Sequence, residues 1–147
     1  MMPKAKQTDR EGTPFERAVL GFKNYWYPLY QGKSIGEKPT KVRVLGEPIA
    51  VMRRNGVAYA FADHCPHRGV SLALGKNYFR GSNTISCRWH GFTYDVTDGR
   101  CVAVLSDGPN SEMVGKVRVR TFPLEERKGI IWIWMGETPA VPLEDDI

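Results

Sequence analysis

Histidine and cysteine are scarce in this chain, three of each among 147 residues, and several other features are missing altogether. No apolar run approaches the ~18–20 residues that a bilayer-spanning helix needs, so the chain reads as having no membrane segment. The start, Met1-Met2-Pro3-Lys4-Ala5-Lys6-Gln7, carries charge but no apolar core behind it, and does not read as a signal peptide. The formal net charge is +5. The lysines and arginines nevertheless form no run long enough to act as a nucleic-acid arm, so no nucleic-acid partner is expected. No internal repeat is visible.

What is present is ordinary for one globular domain: 41% hydrophobic and 25% charged residues. A chain this long can bury roughly 68–70% of its unfolded surface. Its 15 Gly and 10 Pro favour turns and short strands. Residues 1–20 read as a polar tail with a short helix, because Thr13-Pro14-Phe15-Glu16 places Thr at the N-cap, Pro at the first helical position and Glu three residues after the cap. Strands are expected at Tyr25–Tyr30, Lys41–Leu45, Pro48–Met52 and Val57–Phe61, the last two joined through Arg53-Arg54-Asn55-Gly56 as a hairpin. Thr84–Ser86 is a further strand, and Phe92–Val96 and Arg100–Val104 pair across Thr97-Asp98-Gly99. Val117–Phe122 alternates cleanly, Glu125–Gly129 reads as its turn, and Ile130–Trp134 returns as a buried strand. Eight to ten short strands make an all-β sandwich or small barrel. Residues 137–147 are acidic with two prolines and read as a linker-like tail, leaving 21–136 as the domain proper.

The chemistry gathers between Cys65 and Gly91. The stretch opens with Cys65-Pro66-His67-Arg68-Gly69 and closes with Cys87-Arg88-Trp89-His90-Gly91, each half supplying one Cys and one His. Two thiolates and two imidazoles can hold a metal centre. A zinc ion would take all four tetrahedrally, although zinc fingers usually draw a Cys pair from one knuckle and a His pair from a helix. One Cys and one His from each loop suits a two-iron cluster, with Cys65 and Cys87 on one iron and His67 and His90 on the other. Both metals stay open on ligand type alone. Cys101 stands outside the set as a small core residue. It could pair with another cysteine only by stripping the metal, which fits a reducing cytoplasm. His64 reads as an exposed loop residue, and Asp95 and Asp98 as hairpin residues.

These residues resemble the Rieske [2Fe–2S] domain of ring-hydroxylating terminal oxygenases, with the family's C-x-H-R-G and C-x-x-H-G signatures intact. Gly21-Phe22-Lys23-Asn24-Tyr25-Trp26-Tyr27-Pro28 is similar to the leading segment of the carbazole-dioxygenase-like group. Trp89–Tyr94 followed by Asp98-Gly99 matches the hairpin behind the second ligand pair. The resemblance implies a Rieske-type fold with a cluster-binding subdomain of two ligand loops. It implies a [2Fe–2S] cluster on Cys65, His67, Cys87 and His90. It also implies electron transfer from a ferredoxin or reductase to the mononuclear iron of an oxygenase catalytic domain. That second iron needs two histidines and a carboxylate. With His67 and His90 assigned only His64 remains, so this chain cannot build it, and the catalytic domain is expected to be absent. A free-standing Rieske ferredoxin is the alternative, although such carriers lack the aromatic leading segment and the prolonged tail. The basic balance reads either as a solvated face or as a docking face for an acidic electron donor.

Gly69 and Gly91 follow the two histidines, where tight turns would aim backbone N–H groups at sulfur. Trp89 reads as a shield over the cluster or as plain core, and Ser106–Asn110 as a third-side lid or a surface turn. Respiratory-chain Rieske proteins carry a disulfide at the positions of Val70 and Trp89, and a sulfur-bonding Ser at that of Phe92. Neither device is present here. Two imidazoles in place of thiolates lift the potential into a window of about −150 to +300 mV. The missing hydrogen bonds leave the reduced state less stabilised. A redox titration is therefore expected to place the midpoint in the lower part of that window, and a strongly positive value would refute this reading.

Overall fold

The computed structural model describes residues 23–66, 69–108, 110–137 and 140–145; the helix expected near Thr13 lies outside them. In chain order the strands are β1 (Tyr25–Gln31), β2 (Thr40–Val44), β3 (Glu47–Arg54), β4 (Val57–Ala62), β5 (Thr84–Ser86), β6 (Phe92–Asp95), β7 (Cys101–Val104), β8 (Thr121–Phe122), β9 (Leu124–Arg127) and β10 (Ile130–Met135). They form three sheets, ordered β1-β10-β9, β2-β3-β4-β8 and β5-β6-β7, and every pairing is antiparallel. The expected all-β architecture is thus present.

Local chemistry explains the tight connections. Asn55-Gly56 joins β3 to β4 with both residues at positive φ, 50° and 80°. This type I′ geometry matches the twist of a hairpin. Lys128-Gly129 and Leu45-Gly46 make the same turn. Arg53 and Arg54, expected in the first of these turns, belong to β3 instead.

Two expected elements differ. Val117–Arg120 is not a strand; only Thr121 and Phe122 of that run are. The segment is extended but splits its hydrogen bonds. Cys101 N–H donates to the Val117 carbonyl, Val119 N–H to the Gly99 carbonyl, and Ala62 N–H to the Arg120 carbonyl. Serving two sheets, it completes a ladder with neither. Glu125–Arg127, expected as a turn, belongs to β9 and pairs with β10. Charged side chains there suit an edge strand.

One core draws on all three sheets, with Ile49, Val51 and Phe61 from the second, Ile131 and Ile133 from the first and Ile85 and Tyr94 from the third. A smaller cluster holds Trp26, Trp134 and Leu143. Trp26 Nε1 donates to the Val141 carbonyl at 2.8 Å, and Trp134 Nε1 to that of Glu137 at 2.6 Å. Part of the segment past residue 136 therefore lies against β1 and β10. Arg53 fastens the second sheet to the first. Its guanidinium meets both carboxylate oxygens of Glu126 at 3.1 Å and donates to the Gly32 carbonyl at 2.8 Å.

The third sheet positions the site. The first ligand loop leaves β4, passes a single 3-10 turn at Leu72–Leu74, and then runs beside β5. There Lys76 and Ser86 exchange backbone hydrogen bonds of 2.9 Å. The chain leaving one ligand loop is so pinned to the strand entering the other. Gly75 makes this approach possible, because a Cβ there would collide with the Ser86 carbonyl oxygen. Gly75→Ala is expected to lower unfolding stability by about 1–3 kcal/mol in urea titration, the range for overpacking a tight site. Gly36→Ala, which meets open space, is expected to change it little.

Candidate metal centre

The two ligand loops are closed by their own backbones. In the first, Cys65 N–H donates to the Val70 carbonyl at 2.7 Å and Gly69 N–H to the Cys65 carbonyl at 2.6 Å; Gly69 sits at φ +73°, as a tight turn requires. In the second, Cys87 N–H donates to the Phe92 carbonyl at 2.7 Å. A buried hydroxyl pair stiffens this second loop: Ser86 and Thr93 bond at 2.7 Å, and Thr93 Oγ1 donates to the Gly91 carbonyl at 3.0 Å.

His90 itself lies at φ +67°, a left-handed conformation uncommon for a residue with a side chain. The turn after β7 braces it. Ser106 N–H donates to the His90 carbonyl at 3.2 Å, and Leu105 N–H to the Gly91 carbonyl at 3.1 Å. The Leu105 side chain fills the space that a Cβ on Gly91 would need. The Ser106 turn is thus bonded to the second ligand loop and is more than a surface turn.

Cys65 and Cys87 are buried, and none of the three cysteines is in a disulfide. The two thiols are neighbours: burial first, and then the facing Cys65, push the Cys87 thiol up to about 11, against the pull of the Trp89 N–H. That N–H lies 3.4 Å from Cys87 Sγ. On the other side Tyr94 Oη sits 3.0 Å from Cys65 Sγ. Burial and its bond to Cys65 hold the Tyr94 phenol well above its usual range, so it keeps its proton and can donate to a thiolate. The expectations from sequence did not single out this role. Sequence carries no sign of it, because only the burial of Phe92–Tyr94 in the folded chain obliges the hydroxyl to find a partner.

His90 is exposed, as is His64. His67 lies outside the described residues. Among the described residues, no three His, Cys, Asp or Glu side chains converge on one point that could hold a metal ion. Trp89 is 54% exposed, which excludes the core-packing reading; it stands edge-on to the His90 ring, with centroids 5.8 Å apart. Cys101 is buried as expected, and burial raises its thiol. Asp95 and Asp98 accept backbone bonds from Thr97 and Arg100 inside their hairpin, at 2.9 Å each, as hairpin residues should. No helix among the described residues is long and apolar enough to cross a membrane.

Two loops, each contributing a buried cysteine, laid side by side over a small antiparallel sheet, define a recognisable class. The chain belongs to the Rieske [2Fe–2S] domain family, whose model matches residues 25–123. Within that class it is similar to the terminal oxygenase component of carbazole 1,9a-dioxygenase. The Sphingomonas sp. protein is 41% identical over 97% of this chain and 38% of its own length. The Metapseudomonas resinovorans protein is 37% identical over 90% and 34%. The solved terminal oxygenase from Nocardioides aromaticivorans IC177 superposes with a TM-score of 0.83 at 34% identity, over 90% of this chain and 36% of that one. The oxygenase in a reduced complex with ferredoxin gives 0.81 at 36% identity, over 89% and 33%. The chain therefore spans little more than a third of the length of these relatives.

The family's group is a Rieske [2Fe–2S] cluster, and the two described thiols suit its thiolate side. Two buried thiols at close quarters could not both ionise without a cation between them, and donors aimed at sulfur, Tyr94 O–H and Trp89 N–H among them, are what thiolate ligands need. A hydrogen bond to ligand sulfur favours the more negative, reduced state. Tyr94→Phe is therefore expected to leave the fold intact and lower the midpoint potential by about 60 mV, one tenfold redistribution for a one-electron couple. Protein-film voltammetry would measure it.

Proposed function

We propose that this chain is the electron-transfer domain of a ring-hydroxylating oxygenase component, with Cys65 and Cys87 binding one iron as thiolates and His67 and His90 binding the other. The observation that carries this reading is the buried Cys65–Cys87 pair with Tyr94 bonded to its sulfur. When bound, the cluster supplies a one-electron store. The residues around it do the rest. Backbone closure of both loops holds the thiols in place, burial keeps water from them, and the bonds from Tyr94 and Trp89 adjust the charge on sulfur. His90 and Trp89 face solvent, so a redox partner would meet the histidine side.

The donor in this reading is a ferredoxin or reductase, and the acceptor is the mononuclear iron of an oxygenase catalytic domain. The solved relative paired with ferredoxin supports the first assignment. The likeness to terminal oxygenase components supports the second, and one histidine beyond the ligand set does not furnish a two-His, one-carboxylate site within this stretch. The net charge of +5 would favour encounter with an acidic donor. We place the protein in the cytoplasm, where a reducing milieu would leave the lone Cys101 thiol unpaired and the cluster thiolates unoxidised.

Anaerobic purification, with cluster reconstitution if needed, tests the reading. Iron and acid-labile sulfide are expected in equal amounts, with the paramagnetic signature of a mixed Cys/His cluster after reduction. Zinc without sulfide would end it. His90→Cys is expected to keep a cluster but drop its potential toward the all-thiolate range near −400 mV.

A further inference from the structure

Asp63 is an aspartate where burial would ordinarily exclude one. It sits two residues before Cys65, and its side chain is 3% exposed. Charged groups this buried are almost always partnered, and the partners here are specific. One oxygen, Oδ1, accepts from Ser71 Oγ at 2.8 Å and from the Ala73 backbone N–H at 2.7 Å. The other faces the Lys41 ammonium at 4.0 Å, at the edge of ion-pair range, and Lys41 is itself 58% exposed. The Asp63 N–H is held by the Pro48 carbonyl at 3.0 Å. Asp63 thus stands on a fixed stem at the end of β4 and reaches across the mouth of the first ligand loop to the chain that leaves it.

We propose that Asp63 is the positioning residue of the first ligand loop, and that its carboxylate charge holds down the potential of the centre that this loop helps to carry. The proposal rests on the ligand assignment above. Cys65 and His67 lie between the two ends that Asp63 joins, so the bonds to Ser71 and Ala73 set the span over which those ligands are presented. The backbone bonds from Cys65 N–H to Val70 and from Gly69 N–H to Cys65 close the inner turn; Asp63 closes the outer one, from the end of β4 to Ser71 and Ala73. Lys41 offsets the charge weakly, being largely in water. A net negative charge beside a centre that gains an electron disfavours the reduced state.

Shape and charge separate by substitution. Asp63→Asn keeps an oxygen that can accept both bonds but removes the charge. Asp63→Ala removes both, and Ser71→Ala removes one bond and leaves the charge. The full chain would be reconstituted with iron and sulfide, then followed by iron content, low-temperature paramagnetic resonance and potential. Asp63→Asn is expected to load like the parent with an unchanged line shape. Its reduced-to-oxidised ratio at a given potential should rise about tenfold, a shift of about 59 mV upward. Asp63→Ala is expected to load incompletely with broadened resonances, and Ser71→Ala to fall between the parent and Asp63→Ala at unchanged potential. The inference fails if Asp63→Asn titrates at the parent's midpoint, if it loads as poorly as Asp63→Ala, or if Asp63→Ala loads and titrates like the parent. A parent chain that takes up no cluster would sink the ligand assignment and this inference with it; a loaded parent with indifferent variants would sink this inference alone.

Discussion

Two sulfur atoms placed together in a protein interior are the constraint from which the rest follows. A thiol in low dielectric resists losing its proton, and a second one at close range makes each loss harder still. The site is therefore poised for a multivalent cation. Two neighbours able to relieve the charge on sulfur, the Trp89 amide on Cys87 and the Tyr94 phenol on Cys65, are donors and remain donors when the thiols become thiolates.

The fold satisfies this constraint with very little secondary structure. The third sheet has strands of only three, four and four residues, too short for independent stability. Its order comes from being tied into other elements. Lys76 bonds to Ser86 across the two loops, Ser106 and Leu105 bond to the second loop from the side, and Asn55 Nδ2 at the tip of the β3–β4 hairpin donates to Asn83 Oδ1 at 2.9 Å. Strain at His90 is held by these same contacts, in keeping with unusual backbone geometry that persists only where its surroundings over-determine it.

How much of this was legible in the sequence depended on the range of the interaction. Asn55-Gly56 announces its hairpin because the turn is decided by two residues. The Cys-x-His and Cys-x-x-His stretches announce the loops for the same reason, and Ile130–Trp134 reads as buried because its apolar run is continuous. Val117–Arg120 misled because alternation reports only that a segment is extended with one wet face; it cannot report that the backbone partners will alternate between β4 and the β7 side. Glu125–Arg127 misled in the opposite direction, its charge hiding an edge strand. The roles of Tyr94 and Asp63 were out of reach. Each is decided by where a side-chain tip ends up, 29 residues away in sequence for Tyr94 to Cys65, and 8 and 10 residues away for Asp63 to Ser71 and Ala73.

The start of β1 and the end of β10 are neighbours: Tyr25 lies opposite Met135, and Asn24 Oδ1 accepts from the Glu137 N–H at 2.8 Å. The first and last strands are thus fastened at their ends, and the stretch carrying Val141 and Leu143 folds back over the indole rings. A closure between residues 113 positions apart costs chain entropy that the β1–β10 ladder and the indole cluster must offset, so a sheet that carries no ligand is the one that draws the far ends of the unit together.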